Sequence, residues 1–258
     1  MLALAYAVII EPYLINVTHE SFSFFQSGGG SGLIRIVFIS DLHASYDNPA
    51  YFSHVVESVN AEKPDIILIG GDMAEGADSD MDNMSALGAL KAGYGIYAVP
   101  GNHDDLKWGC GGKEDTVKAN LSALGISMLR NEHQVLDIKG NRFALIGVDD
   151  PWWCDSDYGK AAEGIPGDLP QVILAHQESS IAGKPLMGRI IILSGHTHCG
   201  QVRIPFITDL ILRLLGSGEY AGGRYLLPDG NGLYVTCGVA PGGIRFLAPP
   251  EVTVIELT

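Results

Sequence analysis

Apolar and polar positions along this chain fall into two patterns: short β-branched runs that stop abruptly, and longer stretches with apolar residues three or four apart. Runs of the first kind are Leu33 to Ser40, Asp65 to Gly71, Gly95 to Pro100, Gln171 to Ala175 and Ile190 to Ser194. Near-continuous apolar runs of this length, bounded by Gly, Pro or Ser, predict strands buried on both faces. Between the first two, Pro49 follows Asp47-Asn48, and Phe52, Val55, Val56 and Val59 share one helical face up to Lys63-Pro64. Two further helices are expected, over Ser79 to Ala92, with Met81, Met84, Leu87 and Leu90 in the core, and over Lys113 to Leu124. Ile15 to Phe22 reads as an edge strand and Ser27 to Gly32 as a flexible Gly/Ser turn. From Ser127 to Val148 short strands around a turn at Lys139-Gly140-Asn141 suggest a second sheet, closed by Leu233 to Thr236 and Val252 to Ile255. Phe206 to Leu215 reads as an apolar helix or lid ending at Gly216-Ser217-Gly218. Core packing is the expected role of its apolar residues, and contact with lipid or an acyl substrate is the alternative.

Strand followed by helix, repeated from residue 33 onward, predicts an α/β architecture. The division expected is an N-terminal segment over 1–32, made of an apolar start, an edge strand and a turn, and a single domain over 33–258. Met1 to Ile10 is almost wholly apolar, but Glu11-Pro12 interrupts it far short of the roughly 20 residues that a spanning helix needs. Three readings stand open for it: an element docked on the domain, a peripheral membrane contact through residues 1–15, or the tail of a longer anchor.

The residues that end these core runs point beyond fold to chemistry. The first run passes into Asp41-Leu42-His43, the second into Asp72, the third into Gly101-Asn102-His103-Asp104, the fourth into His176 and the fifth into Gly195-His196-Thr197-His198. In open α/β sheets such strand ends border the ligand crevice. Asp, Asn and His are the oxygen and nitrogen donors that divalent cations take. A single polar ending is an ordinary loop residue, and the Gly-His-x-His stretch alone fits two hydrogen-bonded loop histidines as well as a metal site. Five endings in series are hard to reach by chance. His19, His54 and His133 follow no such pattern and are read as surface or structural.

Composition then sets limits. At 258 residues, 47% hydrophobic and 18% charged, the chain can bury a large core as one domain. A net charge of −14 excludes nucleic-acid binding through a broad basic face. Cys110, Cys154, Cys199 and Cys237 are widely spaced with no Cys-x-x-Cys, so they are expected as free thiols rather than a disulfide framework. Cys199 lies directly after a candidate ligand, where oxidation would be felt. Trp152-Trp153 either wall a substrate pocket or cap the core. Gly-x-Ser-x-Gly is absent, so no serine nucleophile is indicated.

The blocks Asp41-x-His43, Gly71-Asp72, Gly101-Asn102-His103-Asp104, His176 and Gly195-His196-x-His198 resemble, in order and spacing, the signature of the calcineurin-like metallophosphoesterases. The resemblance runs from about residue 33 to the C-terminus. Gly195 to Pro205, Gly147 to Pro151 and Ala248 to Ile255 are similar to its bacterial membrane-associated branch, some members of which hydrolyse UDP-2,3-diacylglucosamine or other phosphodiesters. Two departures are Cys199, where Gly is expected, and Gln177-Glu178, where relatives tend to carry Pro-Asp.

The resemblance implies a four-layer αββα sandwich of two mixed β-sheets flanked by helices. It also implies two divalent cations of Mn, Zn, Fe or Co. One would be held by Asp41, His43, Asp72 and His198, the other by Asp72, Asn102, His176 and His196, with Asp72 bridging. The implied reaction is attack of a metal-bridging hydroxide on a phosphodiester, pyrophosphate or phosphomonoester, a lipid or nucleotide sugar among the candidates, with His103 assisting the leaving group and Asp104 fixing its orientation. Two dications against two carboxylates leave a local surplus near +2, so an acidic protein can still attract a phosphate ester. Arg203, five residues past His198, is the expected phosphate-binding cation. A protein-binding scaffold without catalysis, and a metal-dependent hydrolase of non-phosphate esters, are the rival classes.

Overall fold

The computed structural model describes residues 1–25, 30, 32–44, 49–74, 84–104, 114–152, 154–216 and 218–258, the side chains of 114–117 excepted. The expected helix start at Asp47-Asn48, the turn residues 27–29 and 31, the helical residues 79–83 and 113, Cys110 and Trp153 lie outside them.

Among the described residues, twelve strands make two six-stranded mixed sheets. The first has the order β1 (Asn16–Phe22), β12 (Glu251–Leu257), β2 (Ile34–Ile39), β3 (Ile66–Ile69), β4 (Ile96–Ala98), β5 (Ile126–Met128). The second has the order β10 (Gly223–Leu226), β11 (Gly232–Val235), β9 (Ile190–Ser194), β8 (Gln171–Ala175), β7 (Asn141–Val148), β6 (Glu132–Ile138). Strands β2, β3 and β4 are parallel to one another, as are β7, β8 and β9, so their C-terminal tips open on the same edge of each sheet.

Alternation within the apolar runs decides the layering. Ile34, Ile36 and Phe38 of β2 face Val172, Leu174, Ile191 and Leu193 of the other sheet in one buried layer, while Val37 and Ile39 face the opposite way. There they meet Phe52, Val55, Val56 and Val59 of the helix Pro49–Ala61. On the far side of the second sheet, Ile173, Ile190 and Ile192 pack with Tyr158 and Ala161 of a short helix, Tyr158–Ala161. This is the expected αββα sandwich, with period-2 strands buried on both faces.

Several expectations are corrected. The helix expected over 79–92 is, among the described residues, a 3₁₀ turn at Met84–Ala89, with Met84, Leu87 and Leu90 buried. The start of the 127–148 segment belongs to the first sheet through β5, and Val252 to Ile255 lies in β12 of the first sheet rather than closing the second. The chain's N-terminus is helical from Leu2 to Tyr13 and docked: Ala7 O accepts from the Arg245 N–H at 2.9 Å, and the buried Glu11 carboxylate accepts from Ala248 N–H at 2.8 Å. Among the described residues no helix is long and apolar enough to cross a membrane. The helix Ile207–Leu215 buries only Thr208, so the expected core packing of its apolar residues does not occur; Phe206 is 88% and Leu214 77% exposed.

The cysteine expectation is overturned. Cys199 and Cys237, 38 residues apart in sequence, form a disulfide, and Cys154 is also disulfide-bonded. Sequence spacing carries no signal here, because the pairing is made by two loops from neighbouring strands β9 and β11.

Candidate metal centre

The seven ligand candidates converge across the gap between the two sheets. Asp41 and His43 follow β2, Asp72 follows β3 and Asn102 follows β4; His176 follows β8, and His196 and His198 follow β9. Inter-tip hydrogen bonds fix the arrangement: Asp41 N–H to Gly71 O and His43 N–H to Asp72 O, each 2.9 Å, and His196 N–H to the Asp41 carboxylate at 3.1 Å. Glycines make the approach possible. A Cβ on Gly101 would collide with the Asp72 carboxylate, and one on Gly195 with that of Asp41.

Strand alternation would place His196 and His198 on one face of an extended segment. The structure delivers them differently. Both lie past the strand end with φ of 70° and 49°, as do Asp41, His43 and Asp72 at 54°, 45° and 47°. Left-handed backbone costs an L residue about 1–2 kcal/mol, so five such residues in one cluster mark a place where surrounding contacts impose the geometry.

Two groups of donor atoms result. In the first, His198 Nε2 lies 3.5 Å from Asp41 Oδ1 and 3.2 Å from His43 Nε2. In the second, His176 Nε2 lies 3.3 Å from Asp72 Oδ2, 3.0 Å from Asn102 Oδ1 and 3.2 Å from His196 Nδ1. Asp72 Oδ2 stands between the groups, 3.7 Å from His43 Nε2. Asp41–His43–His198 and Asp72–His176–His196 are each tight enough to hold one ion. Donors bound at about 2.1 Å to one ion sit about 3.0–3.4 Å apart along octahedral or tetrahedral edges, close to the 3.0–3.5 Å separations quoted within each group. His176 Nδ1 meets Gly70 O at 2.8 Å, the outer contact that turns a ligating histidine's other nitrogen inward. The residues fit divalent cations.

Electrostatics agree at Asp72, His198 and His196; at His176 burial is outweighed by the Asp72 carboxylate, which pushes the ring up to about 10, so a bound cation would have to displace its proton. Burial disfavours a charged Asp72, but the His176, His43 and His103 rings prevail and hold its carboxyl well below the usual range. His198 is held well below its ordinary value by burial, then by the Arg245 guanidinium and His43, which keeps the ring neutral as a ligand must be. Burial and His176 push His196 down to about 4.

His103 lies beside the first group, its ring edge-on to His43 with centroids 4.9 Å apart, and its backbone N–H donates to Asp72 Oδ1 at 2.8 Å. His43, Asp72 and His103 also form a compact donor group. Asp104 is fully buried, and its carboxylate accepts from the N–H groups of Gly101 (2.9 Å), Met73 (3.2 Å) and Ala74 (2.9 Å). It thereby clamps the β4 tip, which carries His103, to the β3 tip. Trp152 is half exposed and edge-on to His196 with centroids 5.0 Å apart, at the mouth of the cluster. Gln177 donates to the buried Asp150 at 2.6 Å, so the Gln-Glu departure ties the β8 tip to the β7 tip.

Arg203 sits apart, its guanidinium 4.0 Å from Asp209 of the helix Ile207–Leu215 and against Gly222. Among the described residues, the cation beside the ligands is Arg245, which sequence reasoning did not single out. It is fully buried, donates to the carbonyls of Cys237 (2.8 Å), Ala240 (3.1 Å) and Ala248 (3.2 Å), and brings Nη2 to 3.4 Å from His198 Nδ1. Its place in a Gly- and Pro-rich connection left no periodic signal.

A family model of calcineurin-like phosphoesterases matches residues 34–200, the stretch that carries all seven donors. The chain belongs to this family. It is a metal-dependent phosphoester hydrolase, similar to the uncharacterized metallophosphoesterase YkuE of Bacillus subtilis at 28% identity over 98% of this chain and 88% of that protein. Phosphodiesterase YaeI of Escherichia coli is 28% identical over 96% of this metallophosphoesterase and 90% of YaeI. An uncharacterized metallophosphoesterase of Helicobacter pylori is 31% identical over 87% of the chain, which spans 60% of that protein.

Proposed function

We propose that this metallophosphoesterase holds two divalent cations and hydrolyses phosphodiester, pyrophosphate or phosphomonoester bonds of a small or lipid-linked substrate. The observation that carries the reading is the position of Asp72 Oδ2 between the two donor groups. Asp41, His43 and His198 would hold one cation and Asn102, His176 and His196 the other, with Asp72 shared. Manganese, zinc, iron or cobalt would each suit these nitrogen and oxygen donors. When bound, such cations acidify water and neutralise charge on phosphate oxygens.

The chain's own residues supply the rest. His103, next to but outside the two sets, is placed to donate a proton to the departing alkoxide and to hydrogen-bond the phosphate. Asp104 acts on it through the backbone, holding the β4 tip in register with Asp72. Trp152 offers an apolar wall for the group attached to phosphate. A diester is favoured within this class, in keeping with the name of YaeI.

Exposed apolar surface adjoins the connection that carries Arg245. The connection 245–248 hydrogen-bonds both the N-terminal helical segment and, through Phe246, the backbone of Gln201 and Arg203. Leu2, Leu4, Ile9, Phe206, Leu210 and Leu214 on those segments are exposed. This supports peripheral contact with a lipid surface, and vesicle co-sedimentation should fall on Phe206→Ser with Leu214→Ser; unchanged sedimentation would remove it.

Stripping metal and restoring Mn²⁺, Zn²⁺, Fe²⁺ or Co²⁺ one at a time, over a panel of monoesters, diesters, nucleotide sugars and phospholipids, tests the function. Metal-dependent return of diester hydrolysis is expected. Tight metal binding with no phosphoester turnover would favour the scaffold class.

A further inference from the structure

The loop that presents His198 is unusual even within this site. His198, Cys199, Gly200 and Gln201 succeed one another at φ of 49°, 54°, 74° and 59°, a left-handed run of which only one member is glycine. Such a run persists only where neighbours over-determine it. One of those neighbours is covalent: Cys199, 2% exposed, is bonded to Cys237.

Cys237 opens the connection between β11 and β12, and that connection backs the same half of the site. Its N–H donates to Glu251 at 2.9 Å, and its carbonyl accepts from Arg245, whose other nitrogen faces His198. The next residue, Gly238, is packed so closely on Asp41 that a Cβ there would lie 2.6 Å from the Asp41 Cβ. The bridge therefore joins the loop bearing His198 to the loop supporting Asp41; of the other position's ligands, Asn102 and His176 follow β4 and β8, and His196 sits at the strand end of the His198 loop, three residues before Cys199, with its Nδ1 3.2 Å from His176 Nε2.

We propose that the Cys199–Cys237 disulfide is a positioning element for the first metal position. Asp41, His43 and His198 take their cation at full affinity only while the bridge is closed; the position built on Asp72, Asn102, His176 and His196 does not depend on it. This rests on the two-cation reading above. A dithiol reductant would open the bridge by two successive thiol–disulfide exchanges. The Cys199–Cys237 sulfur–sulfur bond breaks, both sulfurs end as thiols, and the reductant leaves as its own disulfide, having given up two electrons and two protons. Loss of an outer support of a ligand lowers metal affinity about 10–100-fold, so one of two cations would be shed selectively.

The test compares the full oxidised chain with the double variants C199A/C237A and C199G/C237A, which remove this bridge, add no thiol and leave the Cys154 disulfide intact. Metal-free protein is titrated with Mn²⁺, which has little affinity for thiols, by calorimetry and by electron paramagnetic resonance. Expected are two bound Mn²⁺ and a spin-coupled pair in the oxidised chain. In both variants, one site of unchanged affinity, a second weakened about 10–100-fold, and an isolated-ion spectrum are expected. Two ions of unchanged affinity in either variant would overturn the proposal while leaving the two-cation reading standing. Equal weakening of both positions, or loss of the native circular dichroism in both variants, would overturn the claim of selective positioning. Fewer than two ions in the oxidised chain would overturn the two-cation reading and this proposal with it.

Discussion

The two halves of the donor cluster are built on different principles. Asp72, Asn102 and His176 stand at the tips of central parallel strands, and backbone hydrogen bonds hold them: Asp104 accepts three N–H groups that lock the β3 and β4 tips, and Gly70 O turns the His176 ring. Asp41 and His198 lean on a connection that returns from β11, fixed by a disulfide and a buried guanidinium. Local charge differs accordingly. His176 is pushed up by Asp72 against its burial, whereas His198 is pushed down by burial and Arg245. On the two-cation reading proposed above, the Asp72 carboxylate would join one position framed by the sheet core to another framed by the loop that the disulfide closes.

The strongest way to break this picture is to remove the group common to both halves. Asp72→Asn should lower diester turnover roughly 10³-fold or more and reduce bound metal to one ion or fewer; full turnover in a steady-state assay would refute the shared assignment. Next, His103→Ala should keep both metals yet lose about 10²–10⁴-fold in rate with alkyl leaving groups, and much less with p-nitrophenolate. Equal losses for the two would argue against proton donation.

Asp104→Ala separates bracing from chemistry. Three buried N–H groups lose their acceptor, each costing about 1 kcal/mol or more. The melting temperature should therefore fall by roughly 6–12 °C in a calorimetric scan; an unchanged value would mean that the clamp is dispensable. The smallest effect is expected from Arg203→Ala, whose ion pair with Asp209 is loose and partly solvated. A change in kcat/KM under about threefold fits an exposed pair worth less than about 1 kcal/mol, and a loss of 10²-fold would restore Arg203 as a phosphate contact.

Features of this molecule were legible in the sequence where the information was local. The strand tips could be read because an apolar run and the polar residue ending it are adjacent, so Asp41, Asp72, Asn102, His176 and His196 announced themselves. The αββα layering agrees with runs such as Ile34 to Ile39, buried on both faces. Partnership was not legible. The segment beginning at Ser127 and the run Val252 to Ile255 read as extended, and they lie in β5 and β12, but which sheet they join is set by strands far away in sequence. The same holds for Cys199 with Cys237 and for Arg245 with His198, where spacing carries no trace of the contact. Helix Ile207–Leu215 shows the remaining gap: its apolar face is plain in the sequence, yet nothing in that face says that it stays uncovered.

Anomalous diffraction from crystals soaked in Mn²⁺ tests the central claim most directly. Two peaks are expected, one among Asp41, His43 and His198 and one among Asn102, His176 and His196, with the Asp72 carboxylate between them. A single peak, or two peaks neither of which touches Asp72, would contradict that claim.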